Sequence, residues 1–188
     1  MIVIMGKTAS GKTTVVNRLI RDFGMKQVVT YTTRPKRVGE STGKTYHFVT
    51  QEVFKKQIKE GFYAEWKSYD TVDGTWYYGT AKEDILNADD NTLIILTPSG
   101  YKDITAYLGY KPKSIYICSE NRVIQNRLLK RGDDNREVAR RIAQDNKDFE
   151  DVELLADEVI YNNDMISMDS LARITYHTIQ KLKKGGEK

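Results

Sequence analysis

MIVIMGKTASGKTT, residues 1–14, is the stretch whose reading decides the fold. Residues 2–5 are a short apolar run with the composition of a buried strand. Gly6, four intervening residues, Gly11, Lys12 and Thr13 then match the phosphate-loop pattern G-x-x-x-x-G-K-[ST]. From Thr14 to Phe23, Val15, Val16, Leu19, Ile20 and Phe23 recur at helical spacing. The order is what the chemistry requires. A strand fixes where the loop begins, and Gly6 and Gly11 let the backbone bend so that N–H groups from Ala9 through Thr14 converge on a polyphosphate. The following helix presents its positive end to the same anion. Lys12 adds a point charge on the outer phosphates, and the Thr13 hydroxyl is a Mg²⁺ ligand. The loop therefore predicts nucleoside triphosphate binding through Gly6, Ala9, Ser10, Gly11, Lys12, Thr13 and Thr14.

The rest of the composition fits one α/β domain. The chain has 188 residues, 39% hydrophobic and 30% charged, which describes a globular protein rather than a disordered one. No apolar run approaches the ~18 residues of a membrane span. The first strand begins at the second residue, so no secretory leader is expected. The lone Cys118 cannot make an internal disulfide and reads as a buried core thiol; both points favour the cytoplasm. The net charge of +4 suits a small anionic substrate as well as it suits nucleic acid. The lysine-rich end, residues 181–188, reads as a frayed tail, and nucleic acid ranks last among partners.

After Gly24, a helix stop, residues 27–30 read as a second strand. YTTRPKRVGE, residues 31–40, is a basic loop with Arg34, Lys36 and Arg37, followed by Tyr46 and Phe48. Guanidinium forks and a phenol suit a phosphate monoester; read alone, the signal is weak, since most short basic runs are solvated surface. Thr50 caps a helix to about residue 60, with Val53, Phe54 and Ile58 on one face. Residues 62–69 and 76–80 have strand composition about a Val72-Asp73-Gly74 turn. This hairpin-rich region breaks the strand–helix rhythm, so residues 34–80 read as a lobe inserted into the core. Glu65, on its first strand, either faces solvent or hydrogen-bonds a ligand.

Further on, residues 82–88 predict a short helix, 92–97 a central strand, 99–107 a helix and 114–118 a strand. Helices follow over about 119–131 and 133–148, separated by Gly132. Residues 158–161 are the last strand, and 166–181 a closing helix with Leu171, Ile174, Ile179 and Leu182 toward the core. The arginines from Arg127 to Arg141 form either a salt-bridged surface pair of helices or a lid that closes over phosphates. His47 and His177 read as surface residues without catalytic or zinc-binding partners.

Several motifs coincide in order with one family. GKTASGKT at 6–13, TTRPKRVGE at 32–40, GKTYHF at 43–48, AEW at 64–66, YYGT at 77–80, RLLKRG at 127–132 and VIYNND at 159–164 resemble guanylate kinases over nearly the whole chain. The resemblance implies an α/β P-loop nucleoside kinase fold. A parallel-sheet core (about 1–33, 81–126 and 149–188) would carry an inserted mixed α/β acceptor lobe (34–80) and a helical lid (127–148). It implies transfer of the ATP γ-phosphoryl to GMP or dGMP with Mg²⁺, by a monomer or homodimer whose partners are nucleotides. Arg34, Arg37, Tyr46 and Tyr78 would hold the acceptor phosphate. Glu65 would read guanine N1–H and the N2 amine, with Thr80 and Thr30 toward O6. Lys12, Arg127, Arg131 and Arg141 (or Arg140) would surround the transferring phosphoryl, and Asn162 or Asn163 would lie near adenine. Where the family carries acids in a pattern like L-D-I-D, this chain has Ile94-Ile95-Leu96-Thr97, so Thr97 stands at an acceptor-reading position without charge, with Ser99 close by. The hairpin between Glu65 and Tyr78 is also longer. Two alternatives remain: a nucleoside or deoxynucleoside monophosphate kinase of other or broad base specificity, and a non-catalytic interaction module. No guanine-specificity motif of the GTPase type stands out.

Overall fold

A computed structural model describes residues 1–185. The chain runs β1 (Ile2–Met5), α1 (Lys12–Phe23), β2 (Lys26–Gln27), β3 (Tyr31–Thr32), β4 (His47–Phe48), α2 (Gln51–Lys59), β5 (Tyr63–Thr71), β6 (Gly74–Ala81) and α3 (Lys82–Leu86). It continues through β7 (Thr92–Ile95), α4 (Pro98–Leu108), β8 (Lys113–Cys118), α5 (Asn121–Lys130), α6 (Asn135–Asp148), α7 (Val152–Leu155), β9 (Glu158–Tyr161) and α8 (Met168–Lys184). Residues 181–184 of the expected tail are thus helical, and 186–188 lie outside the described residues. Among the described residues no helix is long and apolar enough to cross a membrane.

Five strands form one parallel sheet in the order β2-β7-β1-β8-β9. β1 lies at its centre, and all four of its residues are buried. That explains its unbroken apolar run: a parallel strand covered on both faces has no polar side to show. On one face Ile2 and Ile4 pack with Val15, Val16 and Leu19 of α1 and Leu171 and Ile179 of α8. On the other, Val3 and Met5 pack with Tyr101 and Ile104 of α4, Phe149 and Val152. α1 stops at Gly24, whose φ of 65° is left-handed and whose N–H returns to the Ile20 carbonyl.

A second sheet, β4-β3-β6-β5, stands apart from the first. β5 and β6 form an antiparallel hairpin in which Thr71 faces Gly74 across the turn. Its register shifts between Tyr63 and Glu65, so that Glu65 pairs with Thr80. Such an irregularity re-aims a side chain, and here it brings the Glu65 carboxylate and Thr80 hydroxyl together.

Three expectations need correction. The second strand, read over 27–30, is only β2 (Lys26–Gln27) at the core edge; residues 28–30 are not strand, because the chain crosses there between layers to reach β3 (Tyr31–Thr32) in the second sheet. Ile174 is 45% exposed, since α8 turns only one stripe to the core. Cys118 is only half-buried, because β8 ends there at the rim of the sheet.

Candidate active site

The phosphate loop sits where the C-terminal end of β1 meets α1. Two of its glycines are required by close approach. A Cβ on Gly6 would stand 2.6 Å from Ser10 Oγ and 2.7 Å from the Ile117 carbonyl; one on Gly11, at φ 98°, would stand 2.5 Å from Asn162 Nδ2. Lys12 Nζ donates to the carbonyls of Gly6 (2.5 Å) and Lys7 (2.6 Å). Burial of that ammonium lowers its pKa to about 8, against a smaller upward pull from Asp145. Thr13 and Thr14 lie exposed at the first turn of α1. Ser10 is buried, so only its backbone could address a ligand.

The expected role of Asn162 does not fit its surroundings. It is 1% exposed, its Nδ2 donates to the Ser10 carbonyl at 2.6 Å, and its Oδ1 accepts from Arg127. Its side chain is spent on bracing the loop from beneath. Asn163, the other candidate, is exposed, and its Oδ1 accepts the Met165 N–H. Arg127 reaches the Ala9 carbonyl at 3.1 Å and Asp164 at 3.2 Å. Together with Gly11, Lys12, Thr13, Thr14 and Arg131 it lines a cavity of about 410 Å³ on one side of the loop.

A cleft of about 320 Å³ opens on the other side, between the two sheets. Lys12 and Thr13 line both cavities, so the loop is the common wall. In the cleft lie Thr30, Arg34, Arg37, Tyr46, Glu65, Tyr78, Thr97 and Arg141. Thr80 is buried behind Glu65. The structure thus brings the acceptor-side candidates to one place.

Within the cleft lining Arg34 is 4% exposed, and its Nη2 donates to both Glu40 oxygens at 2.7 and 2.9 Å. Its guanidinium also lies over the rings of Tyr46 (5.6 Å) and Phe48 (5.7 Å). Glu40 accepts the Arg37 N–H as well, closing the loop on itself. Burial and then repulsion from Arg34, Arg131 and Arg141 push the Arg37 pKa down. Guanidiniums from the 34–37 loop and from α5–α6 therefore face one another, which prepares the space between them for an anion.

Glu65, also in the cleft lining, is 9% exposed, and the Thr80 hydroxyl donates to its Oε1 at 2.6 Å. Burial raises its pKa, with Thr80 pulling it down. Oε2 lies 3.3 Å from where a Cβ on Gly100 would be, so a larger residue there would crowd the carboxylate by a few tenths of an ångström. Thr97 caps α4: its Oγ1 accepts the Gly100 N–H at 3.2 Å and lies 3.2 Å from Ser99 Oγ. The start of α4 at Pro98 rather than Ser99 follows from that cap. Tyr69, from the lengthened hairpin, reaches into the cleft; burial, with repulsion from Asp148, pushes its phenol up to about 12.

Most of the 127–141 arginines are salt-bridged, and several of them also line the two cavities. Glu137 pairs with Arg140 (2.8 and 2.9 Å) and Arg141 (2.6 Å), and Asp133 pairs with Arg131 and with Arg141 (3.1 Å). The Arg140 hydrogen bonds above all hold the Glu137 carboxyl down at about 2. Yet Arg140 and Arg141 also line the cleft, while Arg131 lines the second cavity. Glu40, Asp145, Asp148, Gln144 and Tyr69 are cleft residues that sequence reasoning missed. For Glu40 a signal existed: it follows Arg34 by six residues across a Pro and a Gly, a spacing that folds a loop back on itself.

A family model described as guanylate kinase matches residues 1–176. The guanylate kinase of Nitratidesulfovibrio vulgaris is 34% identical over 171 residues, spanning 88% of this chain and 80% of its own. That of Helicobacter hepaticus is 29% identical over 195 residues, spanning 98% and 95%. The crystal structure of guanylate kinase from Anaplasma phagocytophilum superposes with a TM-score of 0.69 at 24% identity, over 96% of this chain and 84% of that one, and supports the fold. With a phosphate loop, an arginine-lined cleft and a match along nearly its full length, the chain belongs to the guanylate kinase family.

Proposed function

We propose that this protein transfers the γ-phosphoryl group of ATP to GMP or dGMP, giving ADP and the guanosine diphosphate. The observation that carries the reading is the shared cleft: Glu65, Arg34, Arg37 and Lys12 all line a single cavity. A buried carboxylate, a guanidinium pair and the phosphate-loop lysine match what a base, an acceptor phosphate and a transferred phosphoryl group require.

Guanine presents two adjacent donors, N1–H and the N2 amine. Glu65 offers them a buried carboxylate oxygen, and Thr80 holds the other oxygen. Adenine N1 is an acceptor and would face that carboxylate unpaired. Thr30 and Thr97 supply hydroxyls along the same wall. Arg34, fixed by Glu40, and Arg37 would bind the acceptor phosphate, with the Tyr46 and Tyr78 phenols beside them. The phosphate is already a nucleophile at neutral pH, so positioning and charge neutralisation carry the reaction.

ATP would occupy the second cavity, with loop N–H groups from Ala9 through Thr14 on its phosphates and Arg127 beside them. Lys12, reaching both cavities, would follow the phosphoryl as it moves. Arg131 and Arg141 approach from the two sides, and residues 127–148 would act as a lid that keeps water out. Mg²⁺ fits Thr13, whose exposed hydroxyl stands at the junction of the two cavities. Among the described residues no cluster of three or more His, Cys, Asp or Glu could hold a metal; Mg²⁺ at such a site takes most ligands from phosphates and water. Bound there, the ion would neutralise phosphate charge. The lone cysteine and nucleotide substrates suit a cytoplasmic enzyme.

ADP formation from ATP and Mg²⁺, measured with each common nucleoside monophosphate in turn, tests the reading. Turnover with GMP or dGMP alone supports it. Turnover with another base would move the specificity, and ATP binding without turnover would favour an interaction module.

A further inference from the structure

α6 touches the phosphate loop as well as the cleft. Asp145 Oδ2 accepts the Thr8 N–H at 2.6 Å, and the next residue, Asn146, accepts from Lys7 Nζ at 2.7 Å through Oδ1. Two consecutive residues of one helix thus hold two consecutive residues of the loop, from more than 130 positions away in sequence. One helical turn earlier the same helix carries Arg140 and Arg141 into the cleft. Neighbouring acids have side-chain partners: Glu40 has Arg34, Glu137 has Arg140 and Arg141, Asp133 has Arg131 and Arg141, and Asp148 accepts from Gln144 Nε2 at 2.8 Å. Asp145 differs, because its anchor is an N–H of the loop that is meant for anions.

We propose that Asp145 is a positioning residue that sits as a fixed anion at the rim of the phosphate loop, so that nucleotide phosphates bind against its charge and thereby bias the arginine-bearing helix. The inference rests on the loop being the nucleotide site. Lys12 and Lys7 attract the carboxylate; Asp148 repels it, and Arg140, Tyr69 and Tyr116 also lie within its electrostatic reach. Burial raises the Asp145 pKa while the Thr8 N–H and Lys12 pull it down. An arriving polyphosphate competes with Asp145 for Lys12 and lies close to a like charge. Any movement of Asp145 in response moves α6, and with it Arg140 and Arg141.

The test is ADP binding by calorimetry at pH 6.5, where Lys12 is protonated, in EDTA and again with Mg²⁺. Asp145→Asn keeps an amide oxygen for the Thr8 N–H, removes the charge and puts an NH₂ in place of the other oxygen at unchanged volume. It is expected to bind ADP about threefold to tenfold more tightly in both conditions. Unchanged or weaker binding overturns the proposal, and a loss seen only with Mg²⁺ assigns the carboxylate to the metal instead. Hydrogen exchange on the unaltered protein is independent of whether the variant folds. ADP should change exchange in residues 145–148 as well as in the loop; a change confined to the loop contradicts the coupling. If the unaltered protein does not bind ADP at all, the nucleotide-site reading itself fails, and this inference with it.

Discussion

Replacing Glu65 by Gln is a one-atom change whose effect can be worked out from the site. The Thr80 hydroxyl donates to Oε1 at 2.6 Å. In the variant the amide oxygen keeps that bond, which turns the NH₂ toward the cavity. Guanine N1–H and N2–H then meet a donor instead of a carboxylate oxygen. Hydrogen bonds to a charged group contribute about 1.5–3 kcal/mol each, and a buried donor left facing a donor adds its desolvation. Two such bonds give about 3–6 kcal/mol, or on the order of a 10²–10⁴-fold loss in kcat/KM for GMP at ~1.4 kcal/mol per decade. The volume is unchanged, and Glu65 carries a burial cost that Gln avoids, so the fold should hold. A coupled assay varying GMP and ATP separately reads the result. The reasoning is refuted if GMP use falls less than tenfold, or if ATP and GMP lose equally.

Lys12→Ala should lower kcat/KM for both substrates by a hundredfold or more, read in the same assay, because Lys12 lines both cavities. Arg34→Ala should lower both GMP use and the melting temperature, since it strands the Glu40 carboxylate; Glu40→Gln should cost GMP use less, and equal effects would deny Arg34 direct phosphate contact. Gly11→Ala should destabilise by more than about 1 kcal/mol by denaturant melts, from its positive φ and a 2.5 Å approach to Asn162. In the pH profile of kcat/KM, activity should fall as pH rises through about 8, where Lys12 loses its proton. On the acid side it should fall as Glu65 protonates, at a pH above the usual carboxylate range because burial raises that pKa.

The core was legible because its physics is local. An apolar run, a glycine loop and an amphipathic helix lie consecutively in the first 23 residues, and β1 and α1 appear where the pattern puts them. β9 and the β5–β6 turn were equally plain from composition and turn chemistry. β3 and β4 were not, because two-residue strands carry no period and exist only through pairing with β6 and each other. At the site, motif residues such as Arg34, Glu65 and Tyr78 line the cleft as expected from their motifs, whereas Glu40 was missed inside a motif and Asp145 was missed because it acts across a long separation. Asp145 meets Thr8 only because α6 folds over the loop, and nothing in its local sequence signals that. Asn162 shows the opposite limit: its motif was visible, but its burial against Ser10, which removes it from ligand contact, was not.

The most direct test of the central account is the acceptor panel: ADP formed from ATP and Mg²⁺ with GMP, dGMP, AMP, CMP, UMP and dTMP in separate reactions. The account expects turnover with GMP or dGMP and little with the others, because only guanine presents two donors to Glu65. Comparable turnover with AMP, or none with any acceptor, would contradict it.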